Sequence, residues 1–105
     1  MLLKNNKRVV CKDGFSVSIQ ADEGKYCEPR VDNATYTSVE LGYPSEGDWI
    51  IAKYAEQPNH PTETVYGYVP VETVYLLLTK HGGVESGEVP KGVPVYENTH
   101  PRRER

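Results

Sequence analysis

The dipeptide Asp13-Gly14 limits what this chain can fold into more than any other feature. Asp-Gly between two apolar segments is the strongest short-range signal of a β-hairpin, because glycine enters the left-handed backbone region that tight turns require. After it, Phe15, Val17, Ile19 and Ala21 alternate with Ser16, Ser18 and Gln20, the two-residue period of a half-buried strand. Before it stands Arg8-Val9-Val10-Cys11-Lys12, so a hairpin is expected over residues 8–21. Its register follows from charge. A two-residue turn would set Lys12, Val10 and Arg8 opposite Phe15, Val17 and Ile19, driving two cations onto the apolar face. A three-residue loop with Gly14 left-handed instead pairs Cys11 with Phe15 and Val9 with Val17, and buries Cys11.

The rest of the chain supplies an α+β complement. Residues 22–34 are rich in charge, Gly and Pro and have no period, which predicts a long connecting loop. A third strand is expected over 35–43, with Val39 and Leu41 on one side and Tyr36, Ser38 and Glu40 on the other. Ser45 and Asp48 have the spacing of a capping box, predicting a short helix that continues through Ala55 and stops at Pro58 and Pro61. A fourth strand over 63–69 would put Tyr66 and Tyr68 on one face and Val65 and Val69 on the other, with Gly67 marking a close approach. A second helix should start at Pro70, bury Val71, Val74, Tyr75 and Leu78, and end at Gly82-Gly83. The expected fold is α+β: a three- to four-stranded, mostly antiparallel sheet packed against two short helices in the order β-β-β-α-β-α. Residues 1–83 would form this single domain. Residues 84–105, with no hydrophobic period, would form a mobile or loosely docked tail in which only Val93 to Tyr96 could pack.

Charge and cysteine usage narrow the function classes. Fifteen acids against twelve bases argue against tracking a phosphate backbone, so direct nucleic-acid binding is not expected. The imbalance is concentrated in residues 34–83, which sum to −4, whereas residues 1–33 sum to +1 and 84–105 to zero. No run of 18 apolar residues occurs and the N-terminus lacks a secretion signal's apolar stretch, so a cytoplasmic protein without a membrane span is expected. Cys11 and Cys27 should then remain thiols. A thiol or zinc enzyme built from Cys11, Cys27, His60 and His81 ranks last, because these residues lack the paired short spacings of zinc modules. Neither a catalytic residue nor a cofactor is expected.

Tyrosine is the unusual feature, with eight residues in 105. A tyrosine joins a large apolar body to one hydrogen-bonding tip, which suits interfaces. If Tyr66 and Tyr68 share an exposed face, they form an aromatic patch for a partner, and Tyr36, Glu40 and Arg30 complete the candidate binding set. An edge strand beside such a patch would also suit a symmetric homodimer.

The stretches Val10 to Ala21, Tyr26 to Arg30, Tyr36 to Ser45 and Pro61 to Pro70, with Lys80-His81-Gly82-Gly83, resemble a group of small proteins encoded by bacteriophages and prophages. The likeness covers roughly residues 9–83. It implies a context and no catalytic residue, since small acidic phage accessory proteins, anti-CRISPR proteins among them, often bind and occlude a host machine. The expectation is therefore a non-enzymatic phage accessory protein that inhibits or redirects a host defence or nucleic-acid complex by protein–protein occlusion. The alternative is a protein that binds or sequesters a nucleotide signal through Tyr26 to Arg30 and the same aromatics.

Overall fold

The computed structural model describes residues 5–95. Its centre is a five-stranded antiparallel sheet formed by β1 (Val9–Cys11), β2 (Ser16–Gln20), β3 (Ser38–Gly42), β4 (Val65–Pro70) and β5 (Val84–Ser86), in the spatial order β4-β3-β2-β1-β5. A single helix, α1 (Val71–Lys80), follows β4 directly. The fold class is α+β, with five strands rather than three or four and one α-helix rather than two among the described residues.

The hairpin has the bulged register that charge required. Val9 pairs with Val17, the Cys11 amide donates to the Phe15 carbonyl at 2.7 Å, and Gly14 has φ +97°. Val9, Val17 and Ile19 are wholly buried, and Cys11 nearly so. Helix α1 places Val71, Val74, Leu77 and Leu78 in the core, while Tyr75 is only half-buried. It ends as expected at two left-handed glycines: the Gly83 amide reaches back to the Leu78 carbonyl and the Gly82 amide to that of Thr79.

Three expectations are corrected. No α-helix forms over 45–55; the segment is a chain of turns with one 3-10 turn at Ala52–Tyr54. The Ser45 hydroxyl accepts the Ser16 amide and the Ser45 amide donates to the Ser16 carbonyl, so Ser45 prolongs the sheet instead of capping a helix. Ala55 then bridges to Tyr66 and the Glu56 amide donates to the Val65 carbonyl, which draws the chain out of helical geometry.

The second correction concerns β4. Val39 pairs with Val69 and Leu41 with Tyr66, so Gly67 and Tyr68 together face the single residue Glu40. This β-bulge adds one residue and reverses the alternation beyond it. Tyr66 is therefore 1% exposed on the core side with Val69, while Tyr68, at φ +54°, points outward and is 45% exposed. Gly67 does mark a close approach, because a Cβ there would lie 3.2 Å from that of Tyr26.

The third concerns the expected tail. Residues 84–86 form β5, paired with β1, and residues 87–95 run back across the molecule so that the Tyr36 amide donates to the Lys91 carbonyl and Val93 enters the core. Up to Val95 this segment belongs to the fold; Tyr96 to Arg105 lie outside the described residues.

Gly87 makes the return path testable. It has φ +106°, and a Cβ there would press into the Arg8 carbonyl and the Val9 backbone. Gly87→Ala should destabilise the protein by about 2–4 kcal/mol in urea unfolding, combining left-handed strain with overpacking. A change under about 0.5 kcal/mol, the scale of an indifferent surface substitution, would show that β5 does not contribute to the folded core.

Candidate functional site

A histidine held on both ring nitrogens lies where the hairpin turn, the 44–55 segment and the end of α1 meet. His81 is 5% exposed and stacks on Phe15, with ring centroids 4.0 Å apart and planes 9° from parallel. Its Nδ1 lies 2.7 Å from Asp13 Oδ2 and its Nε2 2.9 Å from Asp48 Oδ2. The Lys80 ammonium also donates to Asp48 Oδ2 at 3.0 Å. Each aspartate shapes its own turn with the other oxygen: Asp13 Oδ1 accepts the Phe15 amide and Asp48 Oδ1 accepts the Ile50 amide, both at 2.9 Å.

Both ring nitrogens can donate only in the imidazolium form. Burial alone favours the neutral ring, but the hydrogen bonds and charges of Asp13 and Asp48 outweigh it and raise the His81 pKa above its ordinary 6.5. For Asp48, burial pushes upward, and the Ile50 amide with His81 and Lys80 more than reverses it. Asp13 is held down first by the Phe15 amide and then by His81. Both ring nitrogens are engaged by carboxylates, so the arrangement is a clasp. The two carboxylates lie on opposite sides of the ring and cannot converge on one metal ion.

Of the residues of the last-ranked thiol or zinc alternative, Cys11, Cys27 and His81 are buried and His60 is exposed beside Glu63. Among the described residues no group of three or more His, Cys, Asp or Glu side chains could hold a metal. Cys11 and Cys27 are both about 1% exposed. Burial, helped by the Asp13 charge, pushes the Cys11 thiol up to about 11. Burial also raises Cys27, whose thiol donates to the Asp22 carbonyl at 3.3 Å beneath its own loop.

The candidate binding set is split. Tyr66 belongs to the core, where its hydroxyl donates to the Pro61 carbonyl at 2.6 Å. Tyr36 is also buried, its hydroxyl donating to the Val31 carbonyl at 2.7 Å, so neither of these tyrosines can meet a partner. Tyr68, Glu40 and Arg30 are gathered around Tyr26. The Tyr68 amide, freed by the bulge, donates to the Tyr26 carbonyl, Glu40 accepts the Tyr26 amide, and Arg30 sits 5.3 Å from the Tyr26 ring centroid. The Tyr26 and Tyr68 rings are 5.8 Å apart.

The sequence reading missed Trp49 and Leu76. They are the most exposed large apolar residues described, at 78% and 58%. With Ile50, Lys53, Tyr54, Thr73 and Lys80 they line an open groove of about 480 Å³ between the 44–55 segment and α1. A second groove of about 230 Å³ runs between Tyr26, Tyr54, Glu56 and Tyr68. Tyr54 lines both, so the two form one aromatic face. Lys80 and Lys53 lie over the Trp49 and Tyr54 rings at 5.6 and 5.4 Å. Leu76 was legible as an apolar residue on the solvent side of an amphipathic helix. Trp49 was hidden by the helix expected around it.

The clasp gives a signed pH dependence. His81, raised above 6.5, contributes stability that is complete below pH 6.5 and is lost as pH rises through its folded pKa. The aspartates, lowered from 3.8, contribute above that value and lose the contribution as pH falls through their folded pKa values. The clasp is thus strongest between these limits. Asp48→Ala should cost about 3–5 kcal/mol near pH 6, because it leaves the buried Nε2–H of the imidazolium and the Lys80 ammonium without their shared carboxylate, and should flatten the decline on the alkaline side. Equal slopes for wild type and variant in urea midpoint against pH would contradict the clasp.

Comparison with protein-family models, curated proteins and solved structures finds no match, so the reading of this surface rests on its own geometry.

Proposed function

We propose that the chain is a non-enzymatic binding protein that inhibits or redirects a larger complex by docking on it through the Trp49–Tyr54–Tyr68 face. The observation that carries this reading is the pair of adjoining grooves sharing Tyr54, with Trp49, Leu76 and Tyr68 exposed along them. Contiguous exposed aromatics with cations over their rings have the chemistry of binding hot spots, where Trp, Tyr and Arg dominate. Of the four side chains named for thiol or zinc chemistry, both thiols are buried and raised and His81 is held at both nitrogens, while His60 is exposed beside Glu63.

The resemblance of residues 9–83 to phage accessory proteins directs the proposal to a host defence or nucleic-acid machine in the host cytoplasm. No helix among the described residues is long and apolar enough to cross a membrane. The nucleotide-binding alternative draws support from Arg30 over the Tyr26 ring. It ranks second because Glu56 lines the same groove and repels phosphate.

The test is affinity capture from a bacterial lysate by the tagged chain, with Trp49→Ser/Leu76→Ser as the docking variant. Recovery of a defence-complex subunit by wild type and its loss with the double variant is the expected result, with stability changed by no more than about 1 kcal/mol. Retention of that subunit by the variant overturns the reading. Tyr66→Ala is unsuitable as a docking probe, since removing a buried aromatic ring should unfold the protein by about 3–5 kcal/mol and would abolish capture for structural reasons.

A further inference from the structure

The two grooves that meet at Tyr54 carry opposite charge. The groove beside α1 is lined by Lys53 and Lys80 and by no carboxylate, whereas the groove beside β4 is lined by Glu56 and by no Lys or Arg. Lys80 shares its charge with Asp48 at 3.0 Å. Lys53 and Glu56 form no ion pair among the described residues, so each presents an uncompensated charge at the rim of its groove. Arg30 lies over the Tyr26 ring without lining the groove, and the Glu40 carboxylate accepts the Tyr26 amide.

Resting on the docking reading above, we propose that this face takes an extended segment of a partner protein whose charges are sorted in space. An apolar anchor flanked by a carboxylate enters the Trp49 groove, and an Arg or Lys side chain enters the tyrosine groove. The chemistry of each wall selects its guest. Trp49 and Leu76 desolvate the anchor while Lys53 meets the acid. In the second groove the exposed Tyr68 ring attracts a cation and Glu56 neutralises it, while Arg30 and Lys53 already lie over the Tyr26 and Tyr54 rings. The larger groove falls within the range of about 300–1,000 Å³ that accommodates small ligands, and the smaller one suits a single side chain. A segment bound in the reverse direction would set like charges against each other at both ends, so the face specifies orientation as well as composition. A single-stranded nucleic acid would meet Glu56 with its phosphates.

Two probes of the same skeleton and opposite charge, 4-phenylbutyrate and 4-phenylbutylammonium, test the sorting by NMR titration of the full chain. The butyrate should move the Trp49 indole N–H and the Leu76 methyl signals, binding there about threefold or more tighter than the ammonium. The order should reverse at the Tyr26, Tyr54 and Tyr68 rings. Lys53→Glu should invert the preference of the first groove only, and Glu56→Lys that of the second only; both side chains are exposed, so the variants should fold. Equal binding of both probes at both grooves overturns the sorting and leaves the docking face standing. No binding of either probe at either groove overturns both. Saturable binding of an oligothymidylate across the two grooves, tighter than either probe, overturns the assignment of a protein partner.

Discussion

The structure depends on one ion held from two sides. The His81 imidazolium bridges two aspartates that are 35 residues apart, and each aspartate spends its second oxygen on the amide two residues ahead of it. Asp13 thereby shapes the hairpin turn and Asp48 shapes the turn that presents Trp49. The backbone repeats the connection: the Asp13 amide donates to the His81 carbonyl and the Lys12 amide to that of Gly83, so the hairpin tip satisfies groups at the end of α1. Phe15 closes the arrangement by stacking on the ring and keeping water from it. Paired ions of this kind are costly to bury, and their value here lies in position: they add a side-chain tie between the 44–55 segment and the hairpin turn and end of α1, which β1 and β5 already hold together.

That role explains why an exposed aromatic face can stand on a segment with little regular structure. Between Pro44 and Ala55 the chain makes turns, with Ile51 fully buried beneath it and Asp48 clasped at its start. Trp49, directly after the clasped residue, is turned outward onto the groove wall opposite Leu76. On the other side of Tyr54, the bulge at Gly67 and Tyr68 performs the same service by aiming one tyrosine out while keeping its neighbour Tyr66 in the core. Both devices convert a local backbone irregularity into a presented side chain. Functional surfaces commonly show this feature.

Much of the fold was legible from local signals. The hairpin register followed from refusing to bury Arg8 and Lys12, and the limits of α1 from Pro70 and Gly82-Gly83, because those decisions are made within a few residues. The parts that escaped depend on distant partners. Period-two reasoning placed Tyr66 and Tyr68 on one face, and only the two-against-one pairing with Glu40 reverses it. Asp48 and Ser45 have the spacing of a capping box, but Asp48 is recruited by His81 and Lys80 and Ser45 by Ser16. Val84 to Ser86 is too short to announce a strand and becomes one because β1 offers an open edge. An exposed tyrosine surface was legible and its members were not: Tyr68, Glu40 and Arg30 gather around Tyr26, Tyr36 and Tyr66 are buried, and the exposed Trp49 and Leu76 were missed.

The central claim is that the His81 clasp holds the Trp49–Tyr54 face in shape. Amide hydrogen exchange of Ile50, Ile51 and Tyr54, followed across the His81 titration and corrected for the intrinsic pH dependence of exchange, tests it directly. The account predicts that their protection falls as the ring loses its proton, while Ile19 and Leu41 in the sheet keep theirs. Protection at Ile50, Ile51 and Tyr54 that does not change through the titration would contradict it.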